Sequence, residues 1–142
     1  AHKLGLWTAS FFIIGFPYET KEDIKKTEEF IINCGVNFPF VFIAQPYSGT
    51  RMYEDFKSLG FLESGVIELS NSTITKYKTK NFSAEELNNF RRKIYIKFYS
   101  KKIKSYLNPI VFYREFLSKI RSFEDLKYTL KIMGVLATNL LY

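Results

Sequence analysis

A chain of 142 residues, 46% hydrophobic and 18% aromatic, is long enough for a buried core and too apolar for a disordered segment. No apolar run approaches the roughly 20 residues of a membrane-spanning helix, and the start lacks the basic, apolar and small-residue pattern of a signal peptide. The single Cys34 excludes a disulfide framework within the chain and points to a reducing, cytoplasmic setting with an ordinary packed thiol.

Charge is unevenly placed. Residues 1–70 hold 6 Lys and Arg against 9 Asp and Glu, whereas residues 71–142 hold 15 against 5, so a slightly acidic part precedes a strongly basic one. A basic stripe can attract nucleic acid, an anionic membrane or an acidic partner.

In chain order, Phe11–Ile14 is a continuous apolar run stopped by Gly15, which predicts a strand buried on both faces. Pro17 fixes the loop that follows. Thr20 with Asp23 three residues on predicts a helix cap, and Lys21–Cys34 carries Ile24, Ile31 and Cys34 on one stripe before Gly35 ends it. Phe40–Ala44 predicts the second strand, Gln45–Gly49 its loop, and Thr50 the cap of a short helix with Tyr53, Phe56 and Leu59 inward, stopped by Gly60. Strand, helix, strand, helix with short loops predicts a right-handed βαβα unit of a parallel sheet. Residues 64–80, rich in Ser, Thr, Asn and Lys, read as an irregular surface excursion. Ser83 with Glu86 is a capping-box pattern opening a long helix to about Tyr106, with Leu87, Phe90, Ile94 and Phe98 on its buried face. Helices over about Ile110–Ile120 and Phe123–Asn139 complete an all-helical tail.

The domain expectation is therefore a βαβα part at 1–62, a connector at 63–82 and a helical region at 83–142. A parallel sheet needs more neighbours than two strands supply. Together with the opening at Ala1, one short lead-in before a strand, this gives the expectation of a piece of a larger fold.

The loop words carry the functional reading. Gly15-Phe16-Pro17-Tyr18-Glu19-Thr20, after a buried strand and before a charged helix, resembles the glycine-proline-glutamate-threonine loop of the radical S-adenosylmethionine superfamily. Gln45-Pro46-Tyr47-Ser48-Gly49-Thr50, with Met52-Tyr53 and Gly60-Phe61-Leu62 after it, resembles the loop and short helix that follow that family's last strand. Arg92, Tyr95, Phe98 and Tyr99 resemble the Arg-x-x-Tyr-x-x-Phe-Tyr helix of members with an upstream cobalamin-binding domain. Two departures stand out: Tyr18 where the family usually has Gly, and Ser48 where it usually has Pro or Gly.

The resemblance implies an α/β fold made of the last two βα units of a (β/α)6 partial TIM barrel followed by a helical region. It implies S-adenosylmethionine, a 4Fe-4S cluster and, in the narrower subgroup, cobalamin as cofactors. The cluster's ligands in that family are an upstream Cys-x-x-x-Cys-x-x-Cys loop, which suits iron because thiolates are soft donors. No such motif is in this chain. The fragment alone is therefore expected to be inactive, with the amino-terminal part of the same enzyme, an electron donor such as flavodoxin or ferredoxin, and an unidentified substrate as its partners. The implied reaction is radical methyl transfer or rearrangement at an unactivated carbon. By resemblance Ile14, Gly15, Phe16, Pro17 and Glu19 would flank the adenine and ribose of the cofactor, with Gln45 and Pro46 beside the adenine.

Other residues invite plainer readings. Glu19 is either a cofactor ligand or a first-turn carboxylate favoured by the helix dipole. Trp7, Tyr95 and Tyr99 read as packing residues, and His2 carries no role. Lys93, Lys97, Lys101 and Lys104 fall at helical steps and read as one solvated face, without the interleaved exposed aromatics of a nucleic-acid reader. Two rivals remain. One is a non-catalytic helical adaptor whose basic face docks an acidic partner or RNA. The other is an ordinary TIM-barrel hydrolase or lyase, which would want acidic residues or histidine at both strand ends.

Overall fold

The computed structural model describes residues 4–62 and 75–141, with side chains to residue 135. The predicted alternation is present. Strand β1 (Ala9–Ile14), helix α1 (Lys21–Asn33), strand β2 (Phe38–Ile43) and helix α2 (Arg51–Ser58) follow one another. Helices α3 (Ala84–Tyr106), α4 (Pro109–Glu115) and α5 (Phe123–Leu141) then form the tail. β1 and β2 pair in parallel, with Phe11 opposite Phe40 and Ile14 opposite Ile43.

Local chemistry places the helix ends. Thr20 and Asp23 form the reciprocal capping box at the start of α1, and Ser83 and Glu86 form the second at the start of α3. Each box satisfies backbone N–H groups that have no partner inside the helix. Gly35, at φ 76°, takes the left-handed turn after α1 that a side chain would resist. The predicted helix over Ile110–Ile120 is interrupted instead: α4 stops at Glu115, and Leu117–Lys119 continue as a 3-10 turn.

Helices α1 and α3 cover one face of the sheet. There Ile14, Val41 and Ile43 join Ile24, Ile31, Leu87, Ile94, Tyr95 and Phe98 in one core. The opposite face carries Phe11, Ile13, Phe40 and Phe42, and here the prediction for β1 needs correction. Phe11 is 70% exposed and Ile13 50%, so β1 is buried on one face only among the described residues. Phe11 stacks on Phe40 at 5.4 Å, so the open face is a continuous aromatic surface.

The two edges of the sheet also differ. On the side of β2 away from β1, the Val41 N–H donates to the Tyr95 hydroxyl at 2.9 Å and the Val41 carbonyl accepts from Arg91 Nε at 3.1 Å. Two side chains of α3 thus occupy hydrogen-bonding positions that another strand would fill, a common way of closing a sheet edge. Arg91 and Tyr95 are each only 1% exposed, and burial lowers the pKa of the guanidinium and raises that of the phenol. No strand pairs with the other edge of β1 among the described residues.

The described end of the connector is irregular, as expected, but not a surface excursion. Thr75, Thr79 and Phe82 are buried, Thr75 exchanges hydrogen bonds with Asn88, and Lys80 N–H reaches the Pro17 carbonyl at 3.1 Å. The segment locks the first strand-end loop against the start of α3.

Candidate functional site at the strand ends

The carboxyl ends of β1 and β2 lie side by side, joined by the Ala44 N–H donating to the Ile14 carbonyl at 2.8 Å. Beyond them is an open, mainly apolar cleft of about 330 Å³ between the open sheet face and the start of α2. Ile13, Phe16, Phe42, Gln45, Tyr47 and Met52 are among its walls.

Gly15 makes the turn out of β1 at φ 85°. A Cβ there would stand 2.9 Å from Ile43 Cγ2, so the position excludes a side chain by both conformation and space. The turn is held from within. The Glu19 carboxylate accepts from the N–H groups of Gly15 and Phe16, and the Glu19 N–H donates to the Phe16 carbonyl at 3.1 Å. Burial raises the Glu19 pKa, while those two N–H groups and nearby Asp23 act on it more weakly. Asn81 Nδ2 donates to the Glu19 carbonyl at 2.9 Å, which braces the loop from the α3 side.

The residues singled out from sequence therefore separate. Phe16 and Gln45 meet in the cleft. Gly15 and Pro17 are buried loop residues beneath it, and Pro46 is buried in the second loop. Glu19 spends its carboxylate on its own turn. Ile14 is placed differently from the expected cofactor wall: it is 0% exposed and belongs to the core on the far side of the sheet. Side chains alternate along a strand, so the residue of β1 that faces the cleft is its neighbour Ile13. Ile13 and Phe42 line the cleft but were not singled out, because an unbroken apolar run gives no parity; Met52, on α2, enters it from the following helix.

Among the described residues no three His, Cys, Asp or Glu side chains come together to hold a metal, so the residues present do not fit an iron-sulfur cluster. No described helix is long and apolar enough to cross a membrane.

Part of this chain is similar to an uncharacterised methyltransferase of Pyrococcus horikoshii. The two are 34% identical over 99 residues, which is 70% of this chain and 22% of that protein. A shorter stretch of 45 residues is 47% identical to the tRNA-2-methylthio-N(6)-dimethylallyladenosine synthase of Chromobacterium violaceum, covering 32% of this chain and 10% of the synthase. The chain thus spans about a fifth and a tenth of these curated relatives. No protein-family model and no solved structure matches it.

Proposed function

We propose that this chain is the carboxy-terminal part of a radical S-adenosylmethionine enzyme, in which β1 and β2 are the last two strands of the partial barrel and the strand-end cleft is one wall of the S-adenosylmethionine pocket. The observation that carries the reading is the coincidence of the two loop words at one cleft, Gly15–Thr20 and Gln45–Thr50. The methyltransferase and methylthio-adenosine synthase similarities support it from an independent direction. The edge of β2 capped by Arg91 and Tyr95 suits a last strand, and the open aromatic face with the unpaired edge of β1 suits a barrel interior and a preceding strand.

The cleft fits part of such a cofactor. Gly15 would let backbone come close to a flat ring, the Ile13, Phe16 and Phe42 side chains give an apolar surface, and Gln45 adds a polar side chain to its walls. Bound S-adenosylmethionine supplies a carbon radical after one-electron cleavage, a chemistry that belongs to the cofactor. This chain's residues would hold the adenosyl group and exclude water and stray hydrogen donors. The cluster's thiolates, the electron donor and the substrate all belong elsewhere in the proposal. The cobalamin-dependent subgroup is its narrower form and rests on Arg92, Tyr95, Phe98 and Tyr99. In the structure Tyr95 and Phe98 are core residues that seat the helix on the sheet.

Equilibrium dialysis of the complete enzyme against labelled S-adenosylmethionine tests the placement. Ile13→Asp puts a carboxylate in the apolar wall and is expected to weaken binding at least about ten-fold, since an unpaired charge is costly to desolvate. Unchanged affinity at equal folded fraction would overturn it.

A further inference from the structure

At the opposite end of the sheet from the cleft, polar donors gather without acceptors to match them. Asn37, 2% exposed, sits just before β2, and its Oδ1 accepts from Thr8 N–H, Thr8 hydroxyl and Lys119 Nζ at 3.0–3.1 Å. Its Nδ2 is buried with no partner among the described residues, and so is the indole Nε1 of Trp7. Lys119, 4% exposed, holds its ammonium 5.0 Å from the Trp7 ring centre. Lys102 reaches in from α3 and donates to the Val36 and Asn37 carbonyls at 3.2 Å each.

An ammonium has three N–H donors. One on Lys102 and two on Lys119 stay unassigned after these bonds, beside the two orphaned nitrogens. Buried donors left unpaired are rare in folded proteins, and an ion or water is the usual reason for them. The charge is unbalanced as well. Burial, with Lys119 adding to it, brings Lys102 down to about 8, while Glu115 and Cys34 oppose the shift only in part. Burial lowers Lys119 too, with Glu115 again opposing. Two ammonium groups therefore share one nearby carboxylate. An open cavity of about 370 Å³ between α1, α3 and α4, walled in part by Lys102, Ser105, Tyr106 and Glu115, brings solvent to Lys102, with Trp7, Asn37 and Lys119 behind its walls.

We propose that Trp7, Asn37, Lys102 and Lys119 form a binding site for a small oxyanion of the phosphate type, entered through the cavity beside Lys102. A divalent oxyanion has acceptors for every unassigned donor and offsets the charge that the two lysines leave uncompensated. The site lies at the amino-terminal end of the strands, away from the cleft, and does not depend on the proposed activity.

Trp7 is the sole tryptophan, so the site carries its own probe. Sodium phosphate is titrated into the 142-residue chain at constant ionic strength, with sodium chloride as the control, following tryptophan fluorescence and the indole N–H resonance. A saturable change with phosphate, absent with chloride and reduced at least ten-fold in affinity by Lys119→Met, is expected. An indole resonance unmoved at high phosphate, or moved equally by chloride, overturns the proposal and assigns the orphaned donors to water; because this readout uses the unaltered chain, it holds even if the variant does not fold. Glycerol 3-phosphate in a parallel arm separates the sources. Tighter binding than phosphate supports an esterified ligand that extends into the cavity, and equal binding supports the free ion.

Discussion

Tyr95 and Tyr99 lie one turn apart on α3 with their rings parallel, 6.3 Å between centres, yet deleting their hydroxyls should have opposite consequences. The Tyr95 hydroxyl is the acceptor for the buried Val41 N–H at 2.9 Å. Tyr95→Phe keeps the ring and its packing but leaves that N–H unpaired where no water reaches, since Tyr95 and Val41 are each 1% exposed. The hydroxyl also partners the buried Arg91 guanidinium, so the desolvation penalty of one buried polar group, about 1–3 kcal/mol, is the least cost expected. The Tyr99 hydroxyl is buried with no partner among the described residues, and its pKa is raised by burial first and by Tyr95 and Tyr106 after it. Tyr99→Phe removes an unpaired group, so stability should stay within about 0.5 kcal/mol or rise. With a urea slope of about 2 kcal/mol per molar, the Tyr95 variant should lose roughly 1 M in midpoint while the Tyr99 variant keeps or gains. Circular-dichroism melts in urea read both, and equal slopes would show that the denatured state is unchanged. Equal midpoints for the two variants would refute the edge-capping account of α3.

The strand parity makes a second contrast: Ile14→Asp should cost more than about 3 kcal/mol and prevent folding, whereas Ile13→Asp, on the open face, should cost under about 1 kcal/mol in the same urea assay. Comparable losses would contradict the assigned faces. Gly15→Ala, at φ 85° and with its new Cβ 2.9 Å from Ile43, should lower stability by about 1–3 kcal/mol, and an unchanged melting temperature would count against the turn geometry. Lys102, held at about 8 in the fold against an ordinary 10.5, binds its proton more tightly in the unfolded chain, so stability should rise with pH across that window and be penalised below it. Relative to Lys102→Met in phosphate-free buffer, the gain from about pH 8 to about pH 10 should be of order 1 kcal/mol after allowing for partial exposure, and a flat difference would contradict the burial of that amine.

Much of the scaffold was legible because local chemistry dictates it. Thr20 with Asp23 and Ser83 with Glu86 are capping boxes whatever surrounds them, and Gly35 and Gly15 stop their elements through backbone conformation. What could not be read depended on partners distant in sequence. Arg91 lies on the same helical stripe as Leu87, Ile94 and Phe98, but its charge gives no sign that it can be buried there; it is, because Val41 offers a carbonyl at the sheet edge. The lysines of α3 read as one solvated face, but Lys97 pairs with Glu28, and Lys101 reaches Asn33 Oδ1 at 2.7 Å. Lys101 also reaches the Ile32 carbonyl in the last turn of α1, which has no basic residue of its own, while Lys102 donates to the Val36 and Asn37 carbonyls beyond that helix. Of the residues in the two loop words, Phe16, Gln45 and Tyr47 line the cleft. That Ile13 rather than Ile14 faces the cleft was not legible in a run of apolar residues in which hydrophobicity does not distinguish the two faces.

The most direct test of the proposed activity is to assemble the complete enzyme anaerobically with iron and sulfide, reduce it, add S-adenosylmethionine and look for its cleavage products by mass spectrometry. The account predicts 5′-deoxyadenosine and methionine, with the yield reduced by Ile13→Asp. S-adenosylmethionine left uncleaved by enzyme carrying a reduced cluster, or converted without any 5′-deoxyadenosine, would contradict it.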